Sequence, residues 1–297
     1  MNNFTITMQS IDLFEMYLKS EEKARATVEK YIRDVKAFYK YCVSEQIKTY
    51  GKAASKRMEA LAIQKAHVIS YKQWLTEHFK PASVNSMLAA LNSFLRFCGW
   101  GDFAVKPLKI QRQMFASPER LLSRGEYMRL LNAAKKCNRR QLMMVMETLG
   151  ATGMRVSELA FVTVEALKQG CITISCKGKI RKIFLPRKLC IKLRNYASSV
   201  NIRNGAIFIS KSGRPLDRKN IWAAMKKLCG IAGVGAQKVF PHNLRHLFAT
   251  LYYGLEKDIA KLADILGHSS INTTRLYILT DGMEHRKALE RLALVYD

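Results

Sequence analysis

Four short stretches of this 297-residue chain concentrate side chains able to hold phosphate and move protons. "TGMRVSEL" carries Arg155 and Glu158, "CKGKIRKIFLP" carries Lys177 and Lys179, and "HNLRH" carries His242, Arg245 and His246. "LGHSSINTTRLY" sets His268 nine residues ahead of Tyr277. Arginine is a planar, permanently charged fork that matches phosphate oxygens, histidine and lysine exchange protons, and a tyrosine phenol, with a pKa of about 10, attacks only with help. Each stretch alone is weak. An arginine at a helix start is ordinarily a surface charge, a lysine in a turn is ordinarily solvated, and a lone tyrosine is ordinarily half-buried core. His242 and His246 stand four apart, as zinc ligands on a helix do, but Asn243 occupies the place where a metalloprotease helix needs a glutamate. Packing or capping is the simpler reading of His246. Only the set is informative.

The composition narrows what such a set could act on. The formal net charge is +27, a field that attracts polyanions and releases their counterions on binding, so nucleic acid is the expected partner. The charge is uneven: residues 1–106 hold 16 Lys and Arg against 10 Asp and Glu, and residues 107–297 hold 34 against 13. The second part should therefore grip phosphate harder. The seven cysteines never fall in a CxxC pair, which argues against a zinc cluster and a disulfide framework. There is no run of eighteen apolar residues, and the opening lacks a secretory signal's basic-then-apolar order, so a cytoplasmic location is expected and a membrane role is not.

The elements that must position these side chains follow from periodicity. Ile11, Phe14 and Leu18, then Val28, Tyr31, Ile32, Val35, Phe38, Tyr39 and Cys42, recur at helical spacing and break near Ser20, which predicts two amphipathic helices. Two more are expected at "AIQKAHVISYKQWLTEHF" and after Pro81, with Ser83 as N-cap, giving a four-helix bundle over residues 1–106. "GWGDFAVKPLKIQRQMFASP" lacks a period and holds two prolines and two glycines, so residues 107–119 read as a linker. Ser123 with Glu126 has the capping-box pattern at the start of a helix, and "QLMMVMETLGATG" reads as an apolar helix ending in glycine. Ile172, Ile174 and Cys176 alternate before a Lys-Gly-Lys turn and a return strand through Ile183 and Leu185, a hairpin with Lys177 and Lys179 at its tip. A short strand is expected at 206–210. In "HNLRHLFATLYYGL" the expected buried stripe is Leu244, Leu247, Phe248, Leu251 and Leu255, with Arg245 beside it and His242 one turn earlier. Gly267 should end one helix and Ser269 or Ser270 cap a short one carrying Tyr277. The fold class is mainly α with a small β-sheet in the C-terminal domain, 120–297.

At these residues the chain resembles the tyrosine recombinases, the phage-integrase-like and Xer-like site-specific DNA recombinases. "TGMRVSEL", "CKGKIRKIFLP", "HNLRHLFAT" and "LGHSSINTTRLY" occur in the family's order and at its usual separations, and the resemblance covers about 120–297. It implies a two-domain DNA clamp in which the first domain binds core DNA. It also implies roles. Arg155 and Arg245 would hold the scissile phosphate, His268 would add a hydrogen bond, Lys177 (with Lys179 as its rival) would protonate the departing 5′ oxygen, and His242 would accept the tyrosine proton. Tyr277 would attack phosphorus to form a 3′-phosphotyrosyl bond, and Glu158 would orient a basic neighbour. No metal, cofactor or ATP is implied. Lys179, Arg181, Lys182, Arg214, Lys219 and Lys226 would contact DNA phosphates, which fix position and carry no sequence information. A C-terminal helix at 283–296 would link four subunits on two DNA duplexes, with accessory DNA-bending or directionality proteins as further partners.

Other readings stay open at this stage: an architectural DNA binder of the same fold without catalysis, a relaxing topoisomerase of related mechanism, and a metal-dependent nuclease. All six catalytic positions are filled, which disfavours the first, and a separate DNA-binding domain disfavours the second. The target sequence, the base readers and the choice between integration, excision, inversion and dimer resolution are not written in the chain.

Overall fold

The computed structural model describes residues 4–50, 60–110, 120–176 and 179–277. The chain divides into two compact units, Met1–Arg112 and Gln113–Asp297. The expected helix at 283–296 and the hairpin-tip Lys177 lie outside the described residues.

The first unit is built on helices α1 (Met8–Ser20), α2 (Arg25–Tyr50), α3 (Lys65–His78) and α4 (Pro81–Phe97). Two two-residue strands, β1 (Thr5–Ile6) and β2 (Leu61–Ala62), pair antiparallel beside them. The periodic positions Ile11, Phe14, Leu18, Val35, Phe38, Leu75, Leu88, Leu91 and Phe94 form its core. Helix α4 starts two residues before the expected Ser83 cap, because Pro81 takes the first helical position, where its fixed φ is already helical and its missing N–H costs nothing. Asn92 bonds both backbone groups of Val105 (2.8 and 3.1 Å) and Asn85 does the same for Leu108 (2.9 and 2.7 Å). The aperiodic segment is thus strapped to α4 as far as Leu108.

The second unit starts on α5 (Arg124–Lys136), where Ser123 and Glu126 close the expected capping box. It continues through α6 (Arg140–Thr152), a 3₁₀ turn at Val156–Phe161, α7 (Val164–Gln169), the hairpin strands β3 (Cys171–Cys176) and β4 (Lys179–Phe184), and α8 (Arg187–Ser199). Then come α9 (Arg218–Lys226), α10 (Cys229–Ala232), α11 (Pro241–Glu256), α12 (Ile259–Leu266) and α13 (Ile271–Arg275). The expected hairpin forms, in a register that sets Ile174 opposite Arg181 and Cys176 opposite Lys179. The strand expected at 206–210 is reduced to isolated bridges, Thr163 with Ala206 and Ile209 with Pro215. Each of those residues finds a single short partner, too little to build a ladder.

One expectation about α11 is overturned. Leu244 and Leu247 are buried, but Leu251 is 43% and Leu255 84% exposed, while Arg245 is 1% exposed. The buried face is therefore rotated toward Arg245 and Ala249. The guanidinium is inside the stripe and not beside it, because two backbone carbonyls receive it there.

Candidate active site

Two left-handed glycines shape the pocket. Gly153 ends α6 at φ +63°, and a Cβ on it would lie 2.4 Å from Cδ1 of Phe248. Gly267 ends α12 at φ +64°, where a Cβ would lie 2.4 Å from Cδ of Arg181. Only glycine takes this backbone without steric cost, and here it also admits the close approach. Each corner points a carbonyl of a helix end inward. Arg245 donates from Nη1 to Gly153 O at 2.6 Å and from Nη2 to Leu266 O at 2.7 Å. A buried charge needs such partners, and the negative ends of α6 and α12 supply them.

His268, at the corner after Gly267, places Nε2 2.9 Å from Nη2 of Arg245 and Nδ1 2.8 Å from the hydroxyl of Thr274 on α13. An arginine can only donate, so Nε2 accepts and the ring proton sits on Nδ1, facing Thr274. Loss of solvation, reinforced by Arg245, Arg155, Arg181 and His242, lowers the His268 pKa to about 4. The ring is neutral at neutral pH.

Arg155 caps the 3₁₀ turn. Its backbone N–H donates to Oε2 of Glu158 at 2.7 Å, and its Nη1 donates to Oε1 at 3.1 Å. That same Oε1 accepts from Nη1 of Arg181 at 3.2 Å. The Arg155 side chain remains 46% exposed. One arginine of the pair is thus locked inside and the other is presented at the surface.

Tyr277 is 7% exposed and packs on Ala249, Leu262 and Leu266. Its phenol oxygen lies 3.3 Å from Nε2 of His242, one turn before Arg245 on α11. Three imidazoles surround its ring, with centroids at 5.5 Å (His242), 5.3 Å (His246) and 5.4 Å (His268, stacked). Thr250 donates to the Tyr277 carbonyl at 3.1 Å and meets Nδ1 of His246 at 3.3 Å, tying the tyrosine segment to α11. Desolvation first, then Arg245, His246, Arg218 and Arg155, lowers the His242 pKa. His242 keeps part of its surface in solvent, so its ring is reachable. His246 is also shifted down by burial, and its nitrogen turns to Thr250, not to a shared point with His242.

Six of the positions singled out in the sequence therefore meet in one pocket: Arg155, Glu158, His242, Arg245, His268 and Tyr277. Arg181, expected on the DNA-facing surface, is 14% exposed and joins them through Glu158. Lys182, Arg214 and Lys219 are exposed and away from this pocket's bonds. Lys226 donates to the Ala236 carbonyl and lies over the Trp222 ring. Sequence reasoning missed Thr250 and Thr274, which have no spacing signal of their own, and the carbonyls of Gly153 and Leu266, which no side-chain pattern announces.

Comparison with known proteins bears on the family and the fold. The phage integrase family matches residues 120–282. Tyrosine recombinase XerA of Thermococcus kodakarensis is 30% identical over 278 residues, 85% of this chain and 96% of that protein. Among solved structures, the XerH recombinase bound to its difH substrate aligns at a TM-score of 0.66 with 21% identity, covering 87% of this chain and 78% of that one. A lambda integrase tetramer on a Holliday junction aligns at 0.69 with 18% identity, covering 93% and 78%. The last two share the fold. With a family match over more than half its length and a relative similar over nearly all of it, this chain belongs to the phage integrase family of tyrosine recombinases.

Proposed function

We propose that Tyr277 is the nucleophile with which this site-specific DNA recombinase cleaves and rejoins DNA. The observation that carries the reading is the phenol oxygen 3.3 Å from Nε2 of His242, whose pKa is lowered, beside two arginines whose one acidic partner among the described residues is Glu158. His242 takes the phenol proton. Tyr277 attacks phosphorus, the bond to the 5′ oxygen breaks, and Lys177 protonates that oxygen, leaving a 3′-phosphotyrosyl linkage and a free 5′-hydroxyl. The 5′-hydroxyl of a second strand reverses the step, so the linkage is conserved without ATP. Arg155 and Arg245 neutralise charge gathering on the nonbridging oxygens, the part that metal ions play in many phosphoryl-transfer enzymes.

His268 adds a donor to the same oxygens. Its Nε2 donates in the other neutral tautomer, in which solvent delivers a proton to Nε2 and takes the one on Nδ1; Nδ1 then accepts from the Thr274 hydroxyl, and Arg245 turns from Nε2 to the phosphate. The remaining basic side chains, Lys179, Lys182, Arg214, Lys219 and Lys226, serve the grip on DNA phosphates, whereas the Arg181 side chain, 14% exposed, pairs with Glu158. The active assembly is a tetramer on two duplexes, joined through residues 283–296, acting in the cytoplasm, where accessory DNA-bending proteins set its direction. No helix among the described residues is long and apolar enough to cross a membrane.

The test uses nicked duplexes drawn from the DNA flanking the gene, incubated in EDTA with wild type or Tyr277→Phe and resolved on denaturing gels. A nick lets the 5′ fragment diffuse away and traps the intermediate. The reading predicts a protein–DNA adduct with wild type and none with Tyr277→Phe. Binding without an adduct on a random nicked library as well would show an architectural DNA binder instead, and an adduct lost in EDTA would point to a metal.

A further inference from the structure

Arg181 has an environment that phosphate gripping does not explain. Its Nη1 donates to Glu158, but its Nε and Nη2 are buried without a hydrogen-bond partner among the described residues. Burying a guanidinium with one ion pair and two unsatisfied nitrogens is unfavourable, so folding stability alone is a poor reason for it. Its aliphatic stem fills the space that a side chain at position 267 would need, against the corner that carries His268. It comes from β4, 23 residues along the chain from Glu158.

The consequence lies in charge. Among the described residues Glu158 is the sole acidic group bonded to this cluster, and its Oε1 is divided between Arg155 at 3.1 Å and Arg181 at 3.2 Å. Two guanidiniums, Arg155 and Arg181, thus share one carboxylate, and Arg245 adds a third positive charge that both of them feel. Without Arg181 the carboxylate would neutralise Arg155 alone, and Arg155 would be held inward as half of an ordinary ion pair. With Arg181 sharing that oxygen and repelling Arg155, Arg155 keeps both its exposure and its surplus charge. We propose that Arg181 is a positioning residue that competes for Glu158 and so leaves Arg155 free to bind the scissile phosphate. This rests on the role assigned to Arg155 above.

The experiment compares two nicked substrates at the mapped cleavage site, one with an ordinary scissile phosphate and one with a methylphosphonate, in which a methyl group replaces a nonbridging oxygen and removes its negative charge. A residue that acts by supplying positive charge matters less on the neutral substrate, whereas a residue that only holds the fold matters equally on both. Arg181→Met should slow adduct formation on the phosphate by about tenfold or more, with DNA affinity within about twofold of wild type. On the methylphosphonate its deficit should shrink toward none, as should that of Arg155→Ala. Should Arg181→Met fail to fold, Arg181→Gln, which keeps a polar head without charge, gives the same reading. An equal deficit on both substrates, or none on the phosphate, overturns the proposal while leaving Arg155 in place, provided Arg155→Ala recovers. If Arg155→Ala does not recover on the methylphosphonate, the role of Arg155 falls and this inference falls with it.

Discussion

The phenol oxygen of Tyr277 and Nε2 of His242 stand 3.3 Å apart, joining α11 to the segment after α13 across 35 residues of chain. Desolvation of the ring and the nearby charges of Arg245, Arg218 and Arg155 push the His242 pKa down, toward the neutral form that can accept a proton. Replacing it with glutamine keeps a polar group at the position but removes the base. His242→Gln should slow adduct formation by about 10²–10⁴-fold with DNA affinity unchanged, read from single-turnover kinetics on a nicked duplex. A variant within twofold of wild type would remove His242 from the proton path.

The two glycine corners separate backbone strain from site geometry. Gly170 and Gly267 have nearly the same φ, +70° and +64°, but a Cβ on Gly170 meets nothing within 4 Å, whereas one on Gly267 meets Arg181. Alanine at either position should cost about 1–2 kcal/mol from the left-handed backbone, or roughly 2–8 °C in melting temperature for a unit of this size. Only Gly267→Ala should also depress cleavage. Equal cleavage by the two variants would show that the Arg181 contact is incidental.

Stability should depend on pH through His268. Its folded pKa of about 4 lies below the ordinary 6.5, so between those values the unfolded chain binds the proton and the folded one does not. Above about pH 6.5 the group contributes nothing to the pH dependence, and as pH falls toward 4 it progressively favours unfolding. Melting curves of wild type and His268→Asn across pH 4–8 should converge in slope above 6.5, with the variant less steep below it. Parallel curves throughout would contradict the neutral imidazole.

How much of this was legible beforehand depended on the kind of contact involved. The helices of the first unit followed from apolar spacing, since Phe14, Phe38 and Phe94 can be buried in only one way on a 3.6-residue period. The hairpin and the meeting of Arg155, His242, Arg245, His268 and Tyr277 followed from local patterns and from resemblance. The face of α11 did not. Leu251 and Leu255 look like core on hydropathy, but the pull of two carbonyls on Arg245 turned the helix, and no scale of side-chain apolarity registers a carbonyl at a glycine corner. Arg181 was misjudged for the same reason, as a basic residue on a hairpin looks like a surface charge until Glu158 and Gly267 are seen around it.

Thr274 offers a test of how His268 donates. It is fully buried, and its hydroxyl meets Nδ1 at 2.8 Å. Thr274→Val keeps the shape and deletes the hydroxyl, which should lower the cleavage rate by about tenfold, less than the 10²–10³ typical of losing a donor outright. Thr274→Ser should restore most of it. Equal loss in the serine and valine variants would place the effect in packing and not in the proton.

The central claim is tested most directly by finding the atom that holds the DNA. The adduct trapped on a nicked duplex is digested with protease and nuclease, and the nucleotide-bearing peptide is sequenced by mass spectrometry. The account predicts a nucleotide joined through its 3′ phosphate to Tyr277, with the released strand ending in a 5′-hydroxyl. A nucleotide on any other residue, or a linkage through a 5′ phosphate, would contradict it.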